Sequence, residues 1–176
     1  YPITISMGVG AAETPHEAQK LATIALQNKG GAQQKERKEI LAVDSLAENS
    51  ENYVQVAHVD INSVTETLTD IESAFDTSFM VNKAQHYLMS KLIKKGGLVF
   101  FIGGDNFMCP CNGMSAEEIE ETLKALYDEI GFGLKAGIGK GNNAEDAAYM
   151  ADIGLENIRE CNNEKWIDIV EKEYKD

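Results

Sequence analysis

Short apolar runs bounded by glycine or polar turns alternate along this chain with longer segments of mixed character, the pattern of strands joined by helices. Ile3 to Val9 predicts a strand and Thr14 to Lys29 a helix, in which Thr14 is placed to cap, Pro15 suits the first turn and Glu17 completes a capping box. Gly30-Gly31 ends that helix. From Ala32 to Asn52 the chain is polar and charged, which predicts a connector with a short helix and a domain boundary within it. A second series then opens with a strand from Tyr53 to Ile61 and a long helix from about Glu66 to Lys95. Strands Leu98 to Ile102 and Asn106 to Cys111 follow, around a Gly103-Gly104 turn. Ser115 caps a helix running to Ile130, with Glu117 and Glu118 at the positive end of its dipole. Strand Leu134 to Ile138, a helix from Asn143 to Arg159 and an edge strand Trp166 to Val170 complete the order.

From Tyr53 that order is βαββαβ, the split βαβ or ferredoxin-like motif, so the fold class is α+β: a palm whose antiparallel sheet carries helices on one face. Its crossovers set the first strand beside the third and bring the end of the first strand to the turn between the second and third. Asp60 and Asp105, far apart in sequence, are expected to meet there.

The chain also repeats itself. Ser6 to Leu26 matches Lys135 to Leu155 without a gap at an offset of 129 residues, with Gly8/Gly137, Gly10/Gly139, Ala18/Ala147, Ala22/Ala151, Ile24/Ile153 and Leu26/Leu155 identical. Each copy reads as strand, glycine turn and helix. The second copy closes a domain, so residues 1–48 are expected to be the C-terminal part of a first palm plus a connector, and 49–176 a complete second palm. On this expectation the chain is truncated at its N-terminus.

The 176 residues, 43% hydrophobic and 26% charged, suit a globular protein with a sizeable core. A net charge of −13 argues against a phosphate-tracking surface for nucleic acid. No apolar run approaches the roughly 18 residues of a membrane span, and Tyr-Pro-Ile-Thr at the start lacks the features of a signal peptide. Three cysteines, Cys109, Cys111 and Cys161, cannot all pair within one chain, which points to free thiols and a cytoplasmic location. Exposed edge strands predict a homo-oligomer.

Candidate chemistry centres on the two acids. A carboxylate ending an apolar strand is costly unless it is used, and two converging Asp residues suit Mg²⁺, which is held by one or two carboxylates, water and phosphate oxygens. The loop Ile61-Asn62-Ser63-Val64-Thr65 offers backbone N–H groups at a helix start, and Gly103 and Gly104 allow close approach of a ligand. The plain alternative is that Asp60 caps a helix and Asp105 fills a turn. His58, two residues before Asp60, shares its face and is a candidate base, against a structural half-buried histidine. Cys109 and Cys111 with His58 make too small a ligand set for zinc. Arg159 is placed either to meet a phosphate or simply to favour its helix end. The Glu117 to Glu121 run reads as a solvated face.

Phe101-Ile-Gly-Gly-Asp-Asn-Phe-Met108, His58-Val-Asp-Ile-Asn62 and Leu134-Lys-Ala-Gly-Ile-Gly139 resemble the archaeal GTP cyclohydrolase III family, and the similarity covers nearly the whole chain. Its palm is similar to those of GGDEF diguanylate cyclases and class III nucleotidyl cyclases. The resemblance implies two tandem palms and a reaction on GTP: opening of the imidazole ring to a formylaminopyrimidine ribonucleotide with loss of two phosphates, for flavin and deazaflavin synthesis. It implies Mg²⁺ held by Asp60, the Ile61 carbonyl and Asp105, with a monovalent cation such as K⁺ as activator. Ala151-Asp-x-Gly-Leu-x-x-x-Arg159 is similar to a GGDEF helix pattern ending in a phosphate-contacting base, which implies that role for Arg159. The alternatives are a GGDEF-like cyclase, against which Asn106 stands in place of a Glu, and a non-catalytic GTP-binding module.

Overall fold

The computed structural model describes residues 5–30, 41–46, 52–62, 73–161 and 165–172. It forms two compact units, Tyr1–Asn52 and Tyr53–Asp176.

In the first unit, β1 (Met7–Ala11) leads through α1 (Pro15–Gln27) to β2 (Leu41–Leu46), which pairs parallel to β1. Thr14 caps α1, its side chain accepting from the Glu17 N–H, and Pro15 opens it. Two expectations change here. The first strand starts at Met7 rather than Ile3, with Ile5 and Ser6 outside it. The supposed connector holds β2, a strand made by pairing with β1 and not by any strong pattern of its own.

In the second unit the chain runs β3 (Val54–Ile61), α2 (Ala74–Leu92) with a closing 3₁₀ turn at Ile93–Lys95, β4 (Phe100–Gly103), β5 (Asn106–Pro110), α3 (Ala116–Ile130), β6 (Leu134–Gly141), α4 (Ala144–Glu160) and β7 (Ile167–Glu171). The sheet order is β4-β5-β3-β6-β7, antiparallel except for the parallel pair β6 and β7. Strand one of the βαββαβ motif thus lies between strands three and four. Ser73 caps α2 in a capping box with Asp76, and Ser115 caps α3 with Glu118. The cap at Ser73 moves the start of α2 well beyond Glu66, and residues 63–72 lie outside the described ones.

The helices of the motif, α2 and α3, cover one sheet face. Leu88 and Leu92 from α2, Leu123 and Leu126 from α3, and Val59, Phe107, Leu134 and Ile138 from the sheet are all nearly or fully buried in that core. Helix α4, outside the motif, covers the other face through Ala147, Ala151 and Gly154. It sits so close to β6 that a Cβ on Gly137 would fall 2.0 Å from the Ala151 carbonyl oxygen, and one on Gly139 2.0 Å from that of Ala147. The first unit makes the same contacts at the same offset: a Cβ on Gly8 would fall 2.1 Å from the Ala22 oxygen, and on Gly10 2.4 Å from that of Ala18. A parallel strand also closes each unit, Met7 and Val9 facing Leu41 and Val43 as Ala136 and Ile138 face Ile167 and Ile169, although these closing strands lie outside the sequence repeat and three residues off its offset. The sequence repeat therefore belongs to one β-α-β unit built twice. All three cysteines are free thiols; Cys109 and Cys111 are buried, and burial first, then Cys111, pushes the Cys109 thiol well up.

Candidate active site

β3 is the central strand, and its pairing places the site. Asp60 faces Asn106 on β5 and Lys135 on β6. Asp105 lies in the two-residue tip between β4 and β5, next to Asn106, so the hairpin carries the second acid to the end of β3. The tip demands glycine: Gly103 and Gly104 hold φ of +126° and +61°. A Cβ on Gly103 would meet nothing within 4 Å, so the space beside the turn is open.

Asp60 is buried, 4% exposed. Its Oδ2 accepts from Arg159 Nη2 at 2.9 Å and lies 3.5 Å from Lys135 Nζ, itself buried. Its Oδ1 is buried without a hydrogen-bond partner among the described residues, as is Asn62 Oδ1 at the same strand end. Burial, then the Asp60 charge and the contact between the two carboxyls, raises the Asp105 carboxyl above its ordinary value, partly offset by its own backbone N–H and by Arg159. Two ionised carboxylates cannot donate to one another, so the pair is incomplete until a proton or a cation joins it. For Arg159, burial alone would lower the value; hydrogen bonds to Asp60 and Glu156 outweigh it and raise it. Among the described residues no three His, Cys, Asp or Glu side chains converge.

His58 also meets the site, through Asn106. Its Nε2 lies 3.0 Å from Asn106 Oδ1 and its Nδ1 2.6 Å from Asp152 Oδ1 on α4. Both ring nitrogens are engaged, so His58 bridges rather than offering the open nitrogen of a base. Of the residues expected to offer N–H groups to a phosphate, Asn62 is bonded through its N–H to the Gly133 carbonyl, and Ser63, Val64 and Thr65 lie outside the described residues. Ile61 ends β3 beside Asp60, with its side chain in the core.

Lys135 and Asp152 stand inside the quoted motifs without being given a role there. For Lys135 the signal is a charge between Leu134 and Ala136 in an apolar strand; for Asp152 it is its place in the Ala151-Asp-x-Gly-Leu pattern, which draws attention only to Arg159. A cleft of about 300 Å³ escaped sequence reading. Thr77, Ser78, Asn82 and Gln85 of α2 line it, with Phe101 and Gly104 from the hairpin, beside the Asp105 tip.

A family model described as GTP cyclohydrolase III matches residues 1–172. The chain belongs to the GTP cyclohydrolase III family. Relatives carrying that name include one from Methanobrevibacter smithii, 76% identical over 99% of this chain and 69% of its own length. Another, from Methanothermobacter thermautotrophicus, is 61% identical over 90% of this chain and 63% of its own, and one from Methanocaldococcus jannaschii is 54% identical over 90% and 59%. The chain thus spans between about three fifths and seven tenths of these family members. Among solved structures, an EAL/GGDEF domain protein from M.capsulatus aligns with a TM-score of 0.56 at 16% identity, covering 70% of this chain and 88% of that one. A bacterial light-regulated adenylyl cyclase aligns at 0.54 and 14%, covering 66% and 74%. At such identities these two show the palm fold and nothing more.

Proposed function

We propose that this chain carries the GTP ring-opening activity after which its family is named. The observation that carries the proposal is the pairing at the end of β3 of buried Asp60, one of whose oxygens has no partner among the described residues, with Asp105, whose neighbour Gly104 lines the cleft between α2 and the hairpin. The donor set fits a hard divalent cation: two carboxylates and the Ile61 carbonyl would hold Mg²⁺. When bound, such an ion neutralises the triphosphate and polarises its phosphorus towards water. The remaining groups have separate tasks. Lys135 and Arg159 hold Asp60 in place through Oδ2, leaving Oδ1 uncommitted for a cation. Asn82 donates through Nδ2 to the Ser78 carbonyl at 2.8 Å, which turns its Oδ1 outward as an acceptor for the N–H groups of guanine. Gln85 adds a second amide, and Phe101 an apolar ring against the base.

The reaction consumes three waters. Two cleave the phosphoanhydride bonds and release two phosphates. The third adds at C8 of guanine; the C8–N9 bond breaks, the formyl group stays on N7, and a proton passes to N9. The same reading has K⁺ as activator and a homo-oligomer working in the cytoplasm. Incubation with GTP, Mg²⁺ and K⁺, followed by mass analysis of the nucleotide and a phosphate assay, tests it. A formylaminopyrimidine monophosphate, lost in Asp60→Asn and in Asp105→Asn, is expected. Pyrophosphate release would instead favour a cyclase, and unchanged GTP with cation-dependent binding a binding module.

A further inference from the structure

Helix α4 grips β3 at two neighbouring points. Asp152 and Arg159 stand two turns apart on one face of the helix, and they bond His58 and Asp60, which share one face of the strand. The second grip reaches one acid directly; the first leads by three hydrogen bonds to the other. Their directions follow from the partners. The Asp152 carboxylate only accepts, so His58 Nδ1 donates to it at 2.6 Å. Asn106 Nδ2 donates to Asp105 Oδ1 at 2.9 Å, which leaves Asn106 Oδ1 to accept from His58 Nε2 at 3.0 Å, so these directions belong to a His58 ring that carries an N–H on each nitrogen. Turning the Asn106 amide over would set its oxygen against the Asp105 carboxylate. The ring of His58, 14% exposed, thus locks the amide, and the amide takes one oxygen of Asp105.

We propose that Asp152 is a positioning residue for Asp105: acting through His58 and Asn106, it fixes the direction in which Asp105 presents its carboxylate to a cation. This rests on the reading of Asp60 and Asp105 as cation ligands given above. The Asp152 side chain is 54% exposed, so water and salt screen its charge at the acid pair, and its effect travels through hydrogen-bond geometry. Outer partners of metal ligands typically govern 10- to 100-fold in metal affinity, and Asp152, two residues removed from the ligand, belongs at the low end.

Titration of the full chain with Mn²⁺, followed by the loss of the free-ion electron paramagnetic resonance signal in the absence of nucleotide, tests the proposal without reference to turnover. Asp152→Ala is expected to weaken Mn²⁺ binding about 10-fold. Asp152→Asn, whose amide oxygen still accepts from Nδ1, should bind close to wild type, and Asp152→Ala in an Asn106→Ala background should add no further loss. Asp152→Ser, too short to reach the ring, gives the same readout should Asp152→Ala fail to fold. Wild-type affinity in both Asp152→Ala and Asp152→Ser overturns the proposal, as does an equal loss in Asp152→Asn and Asp152→Ala, which would indicate charge rather than geometry. Undiminished binding in Asp60→Asn and Asp105→Asn would instead overturn the ligand reading itself, and the proposal with it.

Discussion

At the scale of a single residue, the ionised carboxylate of Asp105 is a cost to the fold. Burial and the Asp60 charge raise its carboxyl above 3.8. Below that value it is protonated in both folded and unfolded chains, and stability is unaffected. As pH rises through the raised folded value, the unfolded chain ionises more readily, so the folded state loses stability. Asp105→Asn should therefore raise the melting temperature in EDTA at neutral pH, with the gain vanishing near pH 3. Because the hairpin tip is partly open to water, the gain is expected to be no more than about 1 kcal/mol, or about 2–4 °C. Excess Mg²⁺ should reverse the order, since a cation that binds the folded wild type stabilises it and the variant has lost a ligand. Differential scanning fluorimetry across pH, with and without Mg²⁺, checks both halves. Equal melting temperatures in EDTA would mean that the two carboxyls do not oppose one another.

At the scale of elements, α4 and β6 position the site, and their contact tolerates no side chain. A Cβ on Gly139 would meet the Ala147 oxygen at 2.0 Å and the Ala151 nitrogen at 2.3 Å, both backbone atoms with no rotamer to yield. Gly139→Ala must lift α4, which removes Asp152 and Arg159 from β3. A loss of about 3 kcal/mol is expected, seen as a lower urea midpoint at unchanged slope. Much of this layer was legible in the sequence. Ser115 and Thr14 each announced a helix start by cap chemistry, and β3 to β5 followed from apolar runs cut by glycine. What was not legible depends on partners. Leu41-Ala-Val-Asp-Ser-Leu46 becomes a strand because β1 lies beside it, and its own pattern is too short and too polar-flanked to say so. The start of α2 is set by Ser73, whose capping box with Asp76 was not picked out in the sequence. In the site, Asp60 and Asp105 stood out as acids where apolar residues belong. Thr77, Ser78, Asn82 and Gln85 did not, since polar positions on a helix look the same whether they face solvent or a ligand.

For the whole molecule the governing quantity is charge. At −13 the chain repels a nucleoside triphosphate at long range, and Arg159 and Lys135, the cations bonded to Asp60, are already committed to an acid. Net attraction must then come from added cations, which ties substrate binding to the acid pair rather than to a basic surface. Removing divalent ions with EDTA should weaken GTP binding at least tenfold, about 1.4 kcal/mol, by isothermal titration. What remains should strengthen as salt rises from ~0.05 to ~0.3 M, because screening relieves repulsion. The identity of the salt separates two roles for K⁺. If the monovalent cation only screens, tetramethylammonium chloride at the same ionic strength will support GTP turnover equally well. If K⁺ occupies a site of its own, tetramethylammonium, too large and too weakly coordinating to enter it, will restore cation-free binding but not activity. On the reading of K⁺ as activator the second outcome is expected, since Asn62 Oδ1, buried and without a partner among the described residues beside the strand end that carries Asp60, is the kind of uncharged oxygen that a partly dehydrated monovalent cation needs.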